Sequence, residues 1–280
     1  MLMKRILTSL YIFSILFLLS CQKESGFSDN NGSGGASGTG LLSKLVSKSG
    51  SDSSVLVFGY NSSKKLINLN ITLVSGGTTA TVQERAERNG QGIIQKLILK
   101  SDFYQQAGFD SVVTVLRYNS GRYTSKVTSF DLSVVIIKDS VALSYDGSGK
   151  VVSERAFVDD GSNAYEEYRK VEYTYNGNNI STLKTYSFDS GTSSYTLEEA
   201  YTYDQYDDKA SPLYFGVEAF IFDSPFFISA NNILKSSLTA GGTTENYTIT
   251  YTYNSSGKPL TAVSTIQPGN STSTGTYYYQ

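Results

Sequence analysis

Four pairs of adjacent carboxylates punctuate the chain: Asp159-Asp160, Glu166-Glu167, Glu198-Glu199 and Asp207-Asp208. Two carboxylates flanking one cleft can hydrolyse a glycosidic bond by themselves, one as acid and the other as base or nucleophile. That possibility matters because the sequence contains no histidine, which removes the commonest general base and the commonest metal ligand together. Adjacent residues of a strand point to opposite faces, however, so Glu198 and Glu199 cannot form such a pair with each other. Asp159-Asp160-Gly161-Ser162-Asn163 followed by Glu166 lacks the alternating ligands and the distal Glu of a Ca²⁺ loop. Asp207-Asp208 falls in a predicted turn, where solvation is the simpler reading. No serine-nucleophile, phosphate-loop or dinucleotide fingerprint stands in a supporting context. The expectation is a protein with no catalytic residues, no metal site and no cofactor.

The second concentration of chemistry is aromatic. Tyr214, Phe215, Phe220, Phe222, Phe226 and Phe227 crowd into the segment 210–232, where Ser211-Pro212 and Ser224-Pro225 each read as the start of a short helix. Two readings are open. The rings are a core plug that covers a face left open by the rest of the chain, or they line a mouth for an apolar or glycan ligand. An exposed patch of this size invites aggregation, which favours the plug.

The elements that must position these residues are strands. Tyr247, Ile249, Tyr251 and Tyr253 alternate with Thr248, Thr250 and Thr252, and Asn254-Ser255-Ser256-Gly257 supplies a turn before the chain resumes at Leu260. The unit recurs. Turn residues Asn61, Asn89, Asn119, Asp146, Asn176 and Asp204 stand 28, 30, 27, 30 and 28 residues apart, and Asn254 follows after the aromatic insertion. Gly90, Gly149 and Gly257 join them as turn glycines, with Asn89-Gly90 reading as a two-residue type I′ turn. The preceding residue is Tyr at 60, 118, 145, 175, 203 and 253, and Arg88 breaks the rule. With 22 Tyr, 14 Phe, no Trp and only 17% charged residues, the composition is β-rich. The expected fold is all-β: an extended antiparallel meander of about seven hairpin repeats with a period near 28, forming a curved sheet. The insertion 210–232, short and partly helical, is expected to cover one face. A single helical turn is also predicted after Ser101-Asp102, closed by Gly108.

A net charge of −2 argues against a nucleic-acid partner, which needs a basic stripe. Lys4 and Arg5, the apolar run 6–19 and Leu18-Leu19-Ser20-Cys21 resemble a bacterial lipoprotein signal peptide, with residues 1–20 removed and Cys21 lipidated. The Gly/Ser-rich segment 21–40 reads as a flexible tether to a repeat domain at 41–280. The units Tyr145–Val152 and Tyr253–Leu260 resemble YD repeats of the Rhs type. The order of Tyr201–Asp204, the insertion, Asn231-Asn232 and Tyr251–Asn254 is similar to uncharacterised Bacteroidota lipoproteins. The resemblance implies an outer-membrane lipoprotein, periplasmic or surface-exposed, held at the membrane through its N-terminal lipid. Its expected role is structural or in binding a glycan or protein partner. A carrier of a hydrophobic ligand under the insertion and a carboxylate-only hydrolase are the alternatives.

Overall fold

The computed structural model describes residues 40–131, 136–162, 164–224 and 227–280. Cys21, the apolar leader, residues 21–39 of the expected tether and Phe226 lie outside the described residues. The described chain forms sixteen strands: β1 (Leu42–Ser49), β2 (Asp52–Tyr60), β3 (Leu66–Ser75), β4 (Thr78–Arg88), β5 (Ile94–Ser101), β6 (Val112–Asn119), β7 (Arg122–Asp131), β8 (Ile136–Tyr145), β9 (Val151–Asp159), β10 (Glu166–Asn176), β11 (Asn179–Asp189), β12 (Ser194–Ala210), β13 (Asn231–Ala240), β14 (Thr243–Tyr253), β15 (Pro259–Gln267) and β16 (Ser271–Tyr279). One short helix, α1 (Asp102–Gln106), follows Ser101, whose hydroxyl accepts from the Tyr104 N–H.

Each strand pairs antiparallel with its neighbours in sequence, and β1 pairs with β16. The expected open, curved sheet is therefore a closed barrel. An open meander would leave two rows of unpaired backbone groups at its edges. Setting Lys44–Lys48 against Thr274–Tyr278 removes both.

The turns with the period near 28 all lie at one end of the barrel, beside both ends of the described chain. Four of them, opening at Asn61, Asn89, Asp146 and Asn254, are copies of one five-residue loop. In each, the side-chain Oδ1 of the first residue accepts from the N–H groups two and four residues on, at 2.9–3.0 Å. The fourth residue is left-handed: Lys64 at φ 60°, Gly92 at 78°, Gly149 at 85° and Gly257 at 75°. Asn89-Gly90 is thus not the two-residue turn expected. Gly92, not Gly90, carries the positive φ, because Asn89 closes a longer loop with its own side chain. Asn119 and Asn176 open tighter hairpins, in which Ser120, Gly121 and Gly177 take positive φ. Asp204 is no turn at all. It lies inside β12, which runs on to Ala210 through three register shifts before the insertion begins.

The tyrosine before each turn has a specific task. The first residues of the odd strands, such as Leu42, Leu66, Val151, Ile180 and Pro259, are almost wholly buried, and a buried carbonyl needs a donor. Tyr60 donates to Leu42 O at 3.0 Å, Tyr145 to Tyr123 O at 2.6 Å, Tyr175 to Val151 O at 2.7 Å, Tyr206 to Ile180 O at 2.6 Å and Tyr279 to Pro259 O at 2.8 Å. Each hydroxyl staples the open end of a hairpin. Arg88, the exception in the sequence, does the same: its Nη2 and Nε donate to Leu66 O at 2.8 and 3.2 Å.

The left-handed requirement separates two glycines one turn apart. Gly92→Val should lower stability by about 1–2 kcal/mol, because a β-branched residue is forced to positive φ. Gly90→Val, where nothing lies within 4 Å of an added Cβ, should change it by less than about 0.5 kcal/mol. Denaturant midpoints of the two variants check the difference, and Lys64→Gly should move stability upward.

Candidate functional site

The insertion leaves β12, folds into the barrel end and returns to β13. Its two limbs are pinned together by Ser211 N–H to Ala230 O at 2.8 Å and Phe215 N–H to Phe227 O at 2.9 Å. A 3-10 turn, Gly216–Phe220, carries the chain inward. Of the two short helices expected from Ser-Pro pairs, this turn is what the described residues contain, and Ser211 merely caps the Leu213 N–H. Ala219, Phe220, Ile221, Phe222, Phe227 and Ile228 are all buried. Phe227 and Phe215 pack against Phe58 of β2, with centroids 6.2 and 6.3 Å away, and Phe220 meets Tyr173 of β10 edge-on at 5.1 Å. Phe215 is half-buried and Tyr214 points to solvent. The insertion does not cover a face of the sheet, as expected, but fills one end of its interior, because a closed sheet offers its apolar side only inward.

Polar contacts latch the insertion to the wall. Arg88 donates to both carboxylate oxygens of Glu218 at 2.7 Å while holding Leu66 O and Gly92 O, and both side chains are largely buried. Lys126 of β7 donates to Phe220 O at 2.8 Å and pairs with Asp223. Ser229 accepts from the Ile180 N–H, and Asn231 exchanges two bonds with Asn179. Asp207, read as solvated, accepts from the Asn232 N–H at 3.1 Å, the Asn232 side chain at 2.9 Å and the Tyr253 hydroxyl. Only its neighbour Asp208 is a surface group, paired with Lys209.

Beyond the plug the lumen is not filled. A cavity of about 420 Å³ lies between the insertion and the opposite rim of the barrel. Its wall is apolar over most of its extent: Leu56, Leu69, Ile71, Leu99, Val141, Ile249, Tyr203 and Tyr251 come from the strands, and Leu213, Phe222 and Phe227 form the floor. Five charged residues also face it: Glu84, Lys126, Asp139, Arg169 and Asp223. Sequence reasoning passed over these, since in strands their charged outward neighbours hide them. Burial pushes the Glu84 carboxyl up to about 8, Asp223 adds to the rise and Lys126 opposes it. Burial likewise raises Asp139, against Arg169 and the Tyr168 hydroxyl, which donates at 3.0 Å. Glu154, beneath the floor, is raised by burial and accepts from Tyr173 at 2.9 Å. No group of three metal-ligating side chains occurs among the described residues.

The outer face has the opposite character. Lys170, Glu172 and Lys184 alternate with the buried Val171, Tyr173 and Leu183, so they point away from the lumen at mid-strand. Thr248, Thr250 and Thr252 of β14 oppose Thr265, Val263 and Thr261 of β15 on that same face. A barrel that spans a membrane presents an apolar band outward and a polar interior. Here the polarity is inverted.

No protein-family model matches the chain, and no curated protein does. Solved structures do. A porin-like protein from Bacteroides uniformis ATCC 8492 superposes with a TM-score of 0.53 at 12% identity, covering 85% of this chain and 98% of that one. A porin-like protein from Bacteroides vulgatus ATCC 8482 gives 0.52 at 12% identity, covering 86% and 99%. The chain shares their fold. At this identity the likeness extends to the closed β-barrel and no further.

The Arg88–Glu218 latch predicts a large asymmetry between two glutamates. Removing Glu218 leaves a buried guanidinium uncompensated, so Glu218→Ala should cost about 3–5 kcal/mol. Glu87→Ala, which breaks only the exposed pair with Arg85, should cost less than about 1 kcal/mol. Equilibrium unfolding of the two variants measures both.

Proposed function

We propose that this barrel holds an apolar small molecule in the lumen above its plug, as a carrier or receptor at the cell envelope, without catalysing a reaction. The observation that carries the reading is the cavity. Its 420 Å³ falls within the range of small-molecule sites, about 300–1,000 Å³, and its composition is theirs: apolar walls with a few convergent polar groups. Of the alternatives open in the sequence, this is the hydrophobic-ligand carrier, with the ligand above the insertion rather than under it.

The envelope location rests on the porin-like character of the structural neighbours and on the lipoprotein-like leader. Lipidation of Cys21 would moor the barrel to a membrane surface, and residues 21–40 would let it stand off in water, which suits its polar exterior. The same exterior argues against a pore. The YD-like pattern serves as a description of the strand–turn–strand unit, without the shell-forming role of large Rhs proteins. The hydrolase reading lacks support: of the lumenal carboxylates, Asp139 is engaged by Tyr168 and Asp223 by Lys126.

Fluorescence of N-phenylnaphthylamine, which brightens in apolar surroundings, tests the site. It should rise and saturate on adding the protein. Ile71→Trp places a large ring in the cavity from β3 and should abolish the rise while leaving the fold intact by circular dichroism. No rise with the wild-type protein, or an unchanged rise with the folded Trp variant, would refute a lumenal site.

A further inference from the structure

The charges in the lumen do not balance in place. Lys126 is committed to Asp223 and to Phe220 O. Asp139 is served by Tyr168 and by the field of Arg169. Glu84 remains. It sits at mid-strand in β4, set between Leu69 of β3 and Leu99 of β5, and all three side chains line the cavity. Its Oε2 is shielded from solvent and accepts no hydrogen bond. A buried acceptor without a donor is costly, typically about 1–3 kcal/mol and more when charged, and a fold keeps one only where something else compensates. The groups that bear on Glu84 are Lys126 from β7 and Asp223 from the insertion, with Tyr104 from α1 nearby; one cation is thus shared between two carboxylates.

Building on the lumenal-site reading, we propose that the ligand is an amphiphilic amine, its apolar body in the cavity and its ammonium group paired with the Glu84 carboxylate. An alkyl or ring system satisfies the walls, and an N–H donor supplies what Oε2 lacks. A carboxylate-bearing lipid would instead set a second anion beside Glu84 and Asp223, which the site disfavours. Because burial holds the empty site's Glu84 protonated near neutral pH, pairing with an ammonium requires that its proton leave for solvent. Binding should therefore release about one proton per ligand below the Glu84 pKa, and less as pH rises through it.

Isothermal titration calorimetry of the full-length protein with decylamine, decanol and decanoate, in buffers of different ionisation enthalpy, tests this. Decylamine should bind at least about tenfold more tightly than decanol, and decanoate more weakly than either. Proton release should accompany decylamine alone. Glu84→Gln should remove the amine preference and the proton release together, while decanol still binds. Decanol binding with no preference for the amine, or a preference that survives in Glu84→Gln, overturns the inference but leaves the lumenal site standing. Failure of all three to bind overturns both.

Discussion

A ring of sixteen strands is wider than its inward side chains can fill. About eight strands suffice for the two walls to meet, and barrels of sixteen or more in membranes enclose water. This barrel turns its apolar face inward, so an open lumen of that width would expose to water the surface that drives folding. The aromatic insertion resolves the conflict at one end, where Phe220, Phe222 and Phe227 take the place of water. It enters as backbone as well as side chains, and its carbonyls and carboxylates need donors from the wall. Arg88 and Lys126 provide them. The remaining length of lumen is left as the cavity, and its floor is the plug itself.

Arg88 joins the two devices on which this end of the barrel depends. Toward the wall it replaces the tyrosine that staples each hairpin to a buried carbonyl. Toward the lumen it grips Glu218. A tyrosine hydroxyl has one proton to give; a guanidinium has five N–H donors in a fork, enough for both. The repeat breaks at 88 because that strand end faces the plug.

Much of this was legible in the sequence. Period-2 alternation and turn residues locate the strands, and the insertion stands out because it lacks both. Closure was not legible, since β1 and β16 alternate like interior strands and nothing in a strand's own pattern reports its partner. Asp204 misled because Tyr201–Asp204 repeats the motif of a strand end, while the hydrogen bonds that end this strand belong to Tyr206 and Asp207. Gly90 misled because the Asn89 side chain closes a longer loop and moves the left-handed position to Gly92. The lumenal site needed the register. Glu84 stands between Gln83 and Arg85, and only the pairing of β4 shows that it shares the inner face with Leu69 and Leu99.

Inverted polarity is the central claim, and behaviour toward a bilayer tests it most directly. The Cys21→Ser chain, purified without detergent and added to preformed lipid vesicles and to planar bilayers, should stay in the aqueous phase on flotation and produce no conductance, because Lys170, Glu172 and Lys184 would have to enter hydrocarbon. A charged residue at the midplane of a barrel's lipid face costs about 2–4 kcal/mol. Co-flotation with vesicles together with stepwise conductance would contradict the account and return the protein to the pore-forming class that its fold alone suggests.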